Sequence, residues 1–247
     1  MHYKLISCEV FYREMCATVA RTPHMVDVEF MPKGLHDIGA PGMLARMQEA
    51  VDRVDGSKYD AIILGYGLCN NGLNGLVARN IPLVLPRAHD CITVFLGSKE
   101  RYLEYFEGHP GVYFKTTGWM ERGEAAGELS QLSIQHQTGM DQTLAELVEK
   151  YGEENAQYIF ETLSQTHNYG QFTFIEMGVE PDGHYERDTR ADAESRGWVF
   201  EKVPGAMGLI ERLVNGDWRD NEVLVVPPGG KVEACFDENI VRAEASV

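Results

Sequence analysis

The chain has 247 residues, which is enough for one large domain or two small ones. Hydrophobic residues make up 44% of it and charged residues 24%, a composition that is typical of a globular protein and excludes a disordered one. The formal net charge of −16 excludes a nucleic-acid or anionic-membrane surface, because phosphate groups are bound by clustered Lys and Arg. We therefore expect a small-molecule substrate or a protein as the partner.

The amino-terminal segment at 1–15 has neither a basic stretch before an apolar run nor a small-residue cleavage site. No window approaches the run of about 18 apolar residues that a transmembrane helix requires. The sequence therefore predicts a cytoplasmic protein. The five cysteines would be kept reduced there, and they are too few and too scattered for a disulfide scaffold. Thiol or metal chemistry is the hypothesis to test.

Buried strands alternate with helical patterns through the first half of the chain. The predicted elements are a strand at 3–7, a helix at 9–20, a strand at 26–30, a helix at 42–54, a strand at 61–64, a short helix ending at 79, a strand at 82–86 and a helix at 91–96. Repeated strand, helix and strand units of this kind predict right-handed parallel crossovers.

The second half has a weaker pattern. It predicts strands at 111–116, 172–177 and 198–203, a last strand at 222–226, a long helix-rich region at 140–165 and a helix at 207–215. Together the halves predict an α/β fold with a mostly parallel sheet and helices on both faces. The second half either continues that sheet or forms a smaller, similar α/β lobe. We expect an N-terminal lobe at 1–115, which carries the cysteine site, and a C-terminal α/β portion at 116–247.

Three cysteines lie just after predicted strands, namely Cys8, Cys69 and Cys91. Ligands of an open parallel sheet sit outside the carboxyl ends of its strands, so these residues can meet although they are far apart in sequence. Three thiolates supply most of a tetrahedral zinc site and leave one position open. They could equally hold three irons of a [4Fe-4S] cluster. The alternative is that each is a small buried hydrophobic residue.

Neighbours of Cys91 add to this hypothesis. Asp90 is placed to cap the following helix, whose dipole would then favour the Cys91 thiolate. His89 is a candidate fourth ligand or acid/base group, or only a hydrogen-bonding residue. Arg87 could pair with a substrate carboxylate or phosphate, or form a structural salt bridge. We place His89 and Arg87 as the catalytic candidates.

A glycine-rich loop at 65–75 contains Cys69. Such loops bring backbone amides close to anions, although this one matches neither the Walker motif nor the dinucleotide-binding motif. The candidates for binding a cofactor are Gly65, Gly67, Asn70 and Gly72 in this loop and Thr117 and Trp119 in the loop after 111–116. Cys16, inside the first helix, is expected in the core, and Cys235 is left unassigned.

Several segments resemble the family named domain of unknown function 1638. They are GYGLCNNG at 65–72, LPRAHDCITVFLGSKERY at 85–102, TTGWMERG at 116–123, VPGAMGLIERLVNGDW at 203–218 and VVPPG at 225–229. The resemblance places Cys69 and Cys91 inside motifs and assigns them no role. Genes of this family often neighbour those of corrinoid-dependent methyltransferases, which implies a link to one-carbon metabolism by association.

Two functions of different classes follow. One is a metal-dependent enzyme of one-carbon or corrinoid-linked metabolism, in which zinc at the three cysteines activates a thiol or water for methyl or thiol-group transfer. The other is a non-catalytic protein that holds a cofactor or a corrinoid protein, with its acidic surface selecting a basic partner. The metal content and colour of the purified protein distinguish the two.

Overall fold

The computed structural model describes residues 1–122, 128–132, 144–165, 169–218 and 221–245. These ranges contain ten strands: β1 (His2–Cys8), β2 (Met25–Met31), β3 (Ala61–Gly65), β4 (Leu83–Pro86), β5 (Val112–Thr116), β6 (Gln171–Glu176), β7 (Val199–Pro204), β8 (Val223–Val226), β9 (Lys231–Ala234) and β10 (Val241–Glu244). The same ranges contain α-helices at Tyr12–Val19, Gly39–Asp52, Cys91–Leu96, Lys99–Gly108, Thr117–Glu121, Glu128–Leu132, Leu144–Tyr151, Glu153–Gln165, His184–Arg196 and Gly208–Asn215, with 3₁₀ turns at Glu9–Phe11 and Lys33–Ile38.

The larger sheet has five strands in the order β2-β1-β3-β4-β8. The first four are parallel, and β8 pairs antiparallel with β4 at one end. Every residue of β3 and β4 is buried, which explains why both strands read as continuous apolar runs rather than alternating ones. Because β1, β3 and β4 run in one direction, the loops that follow them emerge at the same edge of the sheet.

A smaller parallel sheet of three strands has the order β5-β6-β7. The His184–Arg196 helix packs against β6 and β7. The predicted α/β class is thus confirmed, with two parallel sheets and their helices. Sheet membership does not follow a single cut of the chain, because β5 belongs to the smaller sheet while β8 returns to the larger one. The β9–β10 hairpin is a third, two-stranded sheet.

The structure corrects two of the predicted elements. Residues 73–79 form turns and a β-bridge from Val77 to Lys231 instead of a short helix. The strand at 222–226 is followed by β9 and β10, and so is not the last. The helix-rich region predicted over 140–165 contains two helices with Gly152 between them at a φ of +78°, and its positions 140–143 lie outside the described residues. The Lys99–Gly108 and His184–Arg196 helices were not predicted.

The core lies between the larger sheet and the helices that cross it. Phe11 and Phe95 are both fully buried, with ring centroids 4.6 Å apart. Burial of one such side chain contributes about 1.5–3 kcal/mol to folding. This contact fixes the turn after β1 against the Cys91–Leu96 helix after β4. In the part of the chain that the structure describes, no helix has the length and apolar character needed to cross a bilayer.

Candidate metal centre

A small cavity of about 20 Å³ lies at the carboxyl ends of β1, β3 and β4, and Cys8, Cys69 and Cys91 all line it. This volume is close to that of one water molecule or one ion. The structure therefore brings the three predicted cysteines to one place. Apolar side chains, among them Phe11 and Met43, form much of the remaining wall.

Cys8 is the last residue of β1 and is buried. Burial raises the pKa of its thiol to about 12, an effect that the Val10 amide and the nearby Lys33 charge oppose. The 3₁₀ turn at Glu9–Phe11 begins directly after it and turns the chain back over the sheet edge.

Cys69 lies in an uncommon backbone conformation. Its φ is +44°, and Asn70 and Asn71 follow with φ of +54° and +62°. A left-handed conformation costs roughly 1–2 kcal/mol for each residue other than glycine, and asparagine tolerates it best. The turn closes with a hydrogen bond of 2.9 Å from the Gly72 amide to the Cys69 carbonyl. The amides of Leu68 and Cys69 donate to carbonyls at 88 and 89, which holds this turn against the loop that carries Cys91.

Cys91 opens a helix whose cap was correctly predicted. The Asp90 carboxylate accepts a hydrogen bond of 3.0 Å from the Thr93 amide. The prediction that this setting favours the Cys91 thiolate is wrong for the metal-free protein. Burial raises the pKa of Cys91 well above its ordinary value, and the adjacent Asp90 charge adds to the effect. A cap that satisfies the helix amides also places a carboxylate beside the thiol.

The three thiols are electrostatically coupled. The residues Cys69 and Cys91 keep part of their surface open, but their thiols lie deep among protein atoms, and burial is the largest cause of the raised pKa of both. Negative charge on Cys8 raises the pKa of Cys69 and Cys91 further. All three are therefore neutral thiols at pH 7. Among the described residues, no group of three or more His, Cys, Asp and Glu side chains is already arranged as a metal site.

A cation and two aromatic rings complete the wall. The Lys33 ammonium donates to the Trp119 carbonyl at 3.2 Å and lies 4.8 Å from the centre of the Trp119 ring. Such a cation–π contact contributes about 0.5–2 kcal/mol. The His36 imidazole lies beside the same ring, with centroids 5.8 Å apart, and its Nε2 is 3.0 Å from Asp37. Both Lys33 and His36 line the cavity.

Glycines in the 65–72 loop allow backbone to pack against neighbours. A Cβ on Gly65 would lie 2.7 Å from the Ser7 Cβ, and one on Gly67 would lie 2.7 Å from the Asp90 Cα. One on Gly72 would lie 2.7 Å from the Met43 Cγ and closer still to its sulfur. These distances are shorter than carbon atoms tolerate. The glycines therefore let the Cys69 loop sit close to β1 and to the Cys91 loop.

The Thr117–Glu121 helix brings Trp119 from the smaller sheet to the cavity. A Cβ on Gly118 would lie 2.8 Å from the Val10 carbonyl carbon and closer still to its oxygen. The Arg13 guanidinium fixes the far end of this helix through hydrogen bonds to the Glu121 carboxylate, one of them 2.8 Å long. Segments that follow strands of both sheets thus contribute to the wall of one cavity.

Other predicted site residues lie away from the cavity wall. His89 and Asn70 are exposed. The Arg87 guanidinium donates to the carbonyls of Asn239 and Val241, in the turn and strand that close the C-terminal hairpin. Thr117 is buried at the start of its helix, and its hydroxyl has no hydrogen-bond partner within the described ranges.

Three cavity residues with polar side chains were not predicted, namely Lys33, His36 and Tyr66. Tyr66 lies between two glycines in the 65–75 loop, which the sequence already indicated as part of the site, and this position is the signal that could have identified it. Lys33 and His36 lie in a segment after β2 with no strand-end cysteine and no motif. Only the three-dimensional position of that 3₁₀ turn places them at the site.

A model of the family described as protein of unknown function (DUF1638) matches residues 30–214. The matched range contains every described cavity residue named above except Cys8, Phe11 and Val10. No curated protein and no solved structure matches the chain.

Proposed function

The chain belongs to the DUF1638 family, and we propose that it is a metal-dependent enzyme whose three cysteines, Cys8, Cys69 and Cys91, hold one metal ion. The observation that carries the proposal is their convergence on one small cavity from three different strand ends. A buried-cysteine explanation accounts for each residue singly, but it gives no reason for all three to line the same cavity.

The residues present fit zinc. Three sulfurs are the soft donors that zinc accepts, and a cavity of about 20 Å³ has room for a single ion. This volume favours zinc over a four-iron cluster, which contains eight atoms of metal and sulfide. Loading requires the thiols to lose their protons and draw together, since they are neutral and not yet in metal-site arrangement.

The strained turn supports the same proposal. Cys69, Asn70 and Asn71 in succession have positive φ, and non-glycine strain of this kind concentrates at functional sites. The strain lowers the free energy of unfolding, and this loss is offset when the strained residue is held in a position where it can bind a ligand. Here the turn aims the Cys69 side chain into the cavity.

Zinc at this site would lower the pKa of a thiol or water in its open position and so supply a nucleophile at neutral pH. The chain's own residues prepare the surroundings. The Lys33 ammonium offsets negative charge that builds up when the thiols ionise. Phe11, Met43 and the Trp119 ring exclude water from the centre. The His36 imidazole, oriented by Asp37, can take up or return a proton.

We propose methyl or thiol-group transfer as the reaction, with a small molecule as substrate and a corrinoid protein as a candidate partner. A site that activates a thiolate by three sulfur ligands suits attack on a methyl group. The association with one-carbon metabolism rests on the family resemblance, and the acidic surface favours a partner with a basic face.

The test is the metal content of the anaerobically purified protein and of single serine variants at the three cysteines. We expect one zinc per chain in the wild type, and a loss of zinc affinity greater than about 100-fold in each variant, since even outer hydrogen-bond partners of a ligand contribute 10–100-fold. Cys16→Ser is the matched control, because Cys16 lies on the first helix outside the cavity wall, and it should retain zinc. Full zinc retention by all three variants would refute the proposal.

The second candidate is a non-catalytic protein that binds a cofactor or an accessory partner. The observation in its favour is that the described residues hold no ready-made metal-site arrangement. It predicts a colourless protein without metal and with three titratable thiols at the cavity. A brown preparation with four irons would instead identify the cluster form.

A further inference from the structure

Tyr66 has a buried polar group that the proposed function does not use. Its side chain is 3% exposed and lines the cavity with the three cysteines. Its hydroxyl has no hydrogen-bond partner among the described residues. Burying such a group unsatisfied costs about 1–3 kcal/mol. The Cys8 sulfur is its nearest polar neighbour: their interaction raises the pKa of Tyr66 and lowers that of Cys8, although no hydrogen bond of ordinary geometry joins the two atoms.

The other polar groups that face the cavity centre are mostly donors. The Val10 amide points toward the Cys8 sulfur, and the Gly67 and Cys91 amides point toward the Cys69 sulfur. Lys33 adds a positive charge to the wall. These amides already interact with the cysteine sulfurs, so the Tyr66 hydroxyl is the donor that an occupant with a negatively charged acceptor atom would meet.

The nearest acidic groups do not reverse this balance. The Glu9 carboxylate accepts a hydrogen bond of 2.8 Å from the Lys33 amide. The Asp90 carboxylate accepts from the Thr93 amide and hydroxyl at 3.0 and 3.2 Å. Both lie outside the cavity wall. They act on the site as nearby charges outside the wall, whereas Tyr66 is part of the wall itself.

We infer that Tyr66 is a positioning residue that donates a hydrogen bond to the group bound beside the three sulfurs, and that this group is one small anionic acceptor atom. The inference rests on the proposed metal site. Its occupant is either the thiolate sulfur of a small-molecule thiol or a hydroxide derived from water. The cavity of about 20 Å³ has room for little beyond a single ion, which limits the acceptor beside the ion to one atom.

The experiment uses full-length protein loaded with cobalt(II), whose absorption bands report both thiolate ligation and the fourth ligand. Azide is a small anion without sulfur and stands in for hydroxide, and ethanethiol represents a thiol substrate. Tyr66→Phe removes only the hydroxyl. Tyr3→Phe is the matched control, because Tyr3 is also 3% exposed but packs against His24 and Trp218 away from the cavity.

We expect Tyr66→Phe to bind cobalt as tightly as the wild type but to bind azide, ethanethiol or both about tenfold or more weakly, the loss typical of a hydrogen bond to a charged group. Tyr3→Phe should show no change. Weaker ethanethiol binding alone identifies a thiol substrate as the source, and weaker azide binding alone identifies water. Unchanged affinity for both probes overturns the inference and leaves the metal site intact.

Two further outcomes separate the inference from the proposal beneath it. A shift of the thiolate-to-cobalt band in Tyr66→Phe with no change in probe affinity means that the hydroxyl serves the Cys8 sulfur, which overturns the inference. Failure of the wild type to take up cobalt with thiolate bands overturns the metal site itself, and the role of Tyr66 falls with it.

Discussion

Replacing Gly118 with alanine tests whether the contact between the two sheets builds the site. The added methyl would lie 2.8 Å from the Val10 carbonyl carbon, whereas carbon atoms normally approach to about 3.5 Å. Both sides of the contact are backbone, so the Thr117–Glu121 helix must move outward by roughly 1 Å. Overpacking of this kind costs about 1–3 kcal/mol. We expect the cost of Gly118→Ala to lie near the upper end of this range, because no side chain at the contact can rotate away from the added methyl.

Urea denaturation measures the free energy of unfolding, and cobalt or zinc titration measures the site. We expect Gly118→Ala to lower both the free energy of unfolding and the metal affinity, because Trp119 moves with the helix and the cavity opens. Gly108→Ala is the matched control, because no atom of the described chain lies within 4 Å of a Cβ there. It should change stability by less than about 1 kcal/mol. If Gly118→Ala unfolds with the wild-type free energy and binds metal normally, the two-walled description of the site is wrong.

Three other perturbations have definite outcomes. Burial raises the pKa of Glu14 to about 7, above its ordinary 4.5. Because the native state holds this proton more tightly than the unfolded chain does, the free energy of unfolding should fall by on the order of 3 kcal/mol as pH rises from 4.5 to 8. Denaturation across that pH range should show no such fall in Glu14→Gln. Asp90→Ala and Ser98→Ala each delete a helix cap, and each should lower the free energy of unfolding by about 1 kcal/mol. Only Asp90→Ala should tighten zinc binding, because it removes a charge that raises the pKa of two cavity thiols. Equal zinc affinity in both variants would contradict this. Zinc binding at pH 7.5 should release about three protons, measured by calorimetry in buffers of different ionisation enthalpy, and a release near zero would show that the thiols are not the ligands.

The sequence was sufficient to predict which cysteines meet. The ends of buried strands such as β3 and β4 can be located from their continuous apolar runs in the sequence. A parallel sheet then brings those ends to one edge. The Asp90 cap was also predictable, because a capping residue acts on amides only three positions away. Local rules of this kind transfer directly from sequence to structure.

The thiol protonation and the part of the wall formed by Lys33 were not predictable. Helix position favoured a Cys91 thiolate, but burial, which depends on the whole fold, has the larger effect and the opposite sign. Lys33 and Trp119 come from separate elements, and their contact depends on how the smaller sheet packs through Gly118. No periodicity in the sequence encodes that packing. Arg87 follows the same logic, since its carbonyl partners lie 152 and 154 residues further on.

The antiparallel pairing of β8 with β4 has a consequence for the protein during synthesis. Until the ribosome has delivered β8, β4 is an edge strand of a four-stranded parallel sheet, with a free row of amides and carbonyls. The loop that carries Cys91 follows this edge strand. At that stage the Arg87 guanidinium in the same loop still lacks the carbonyl groups of Asn239 and Val241 to which it donates. A nascent chain therefore carries all three thiols long before it can hold them in place. The pocket around the three thiols is completed only when translation is nearly done, and the metal ion that we propose for it would meet its final geometry only then.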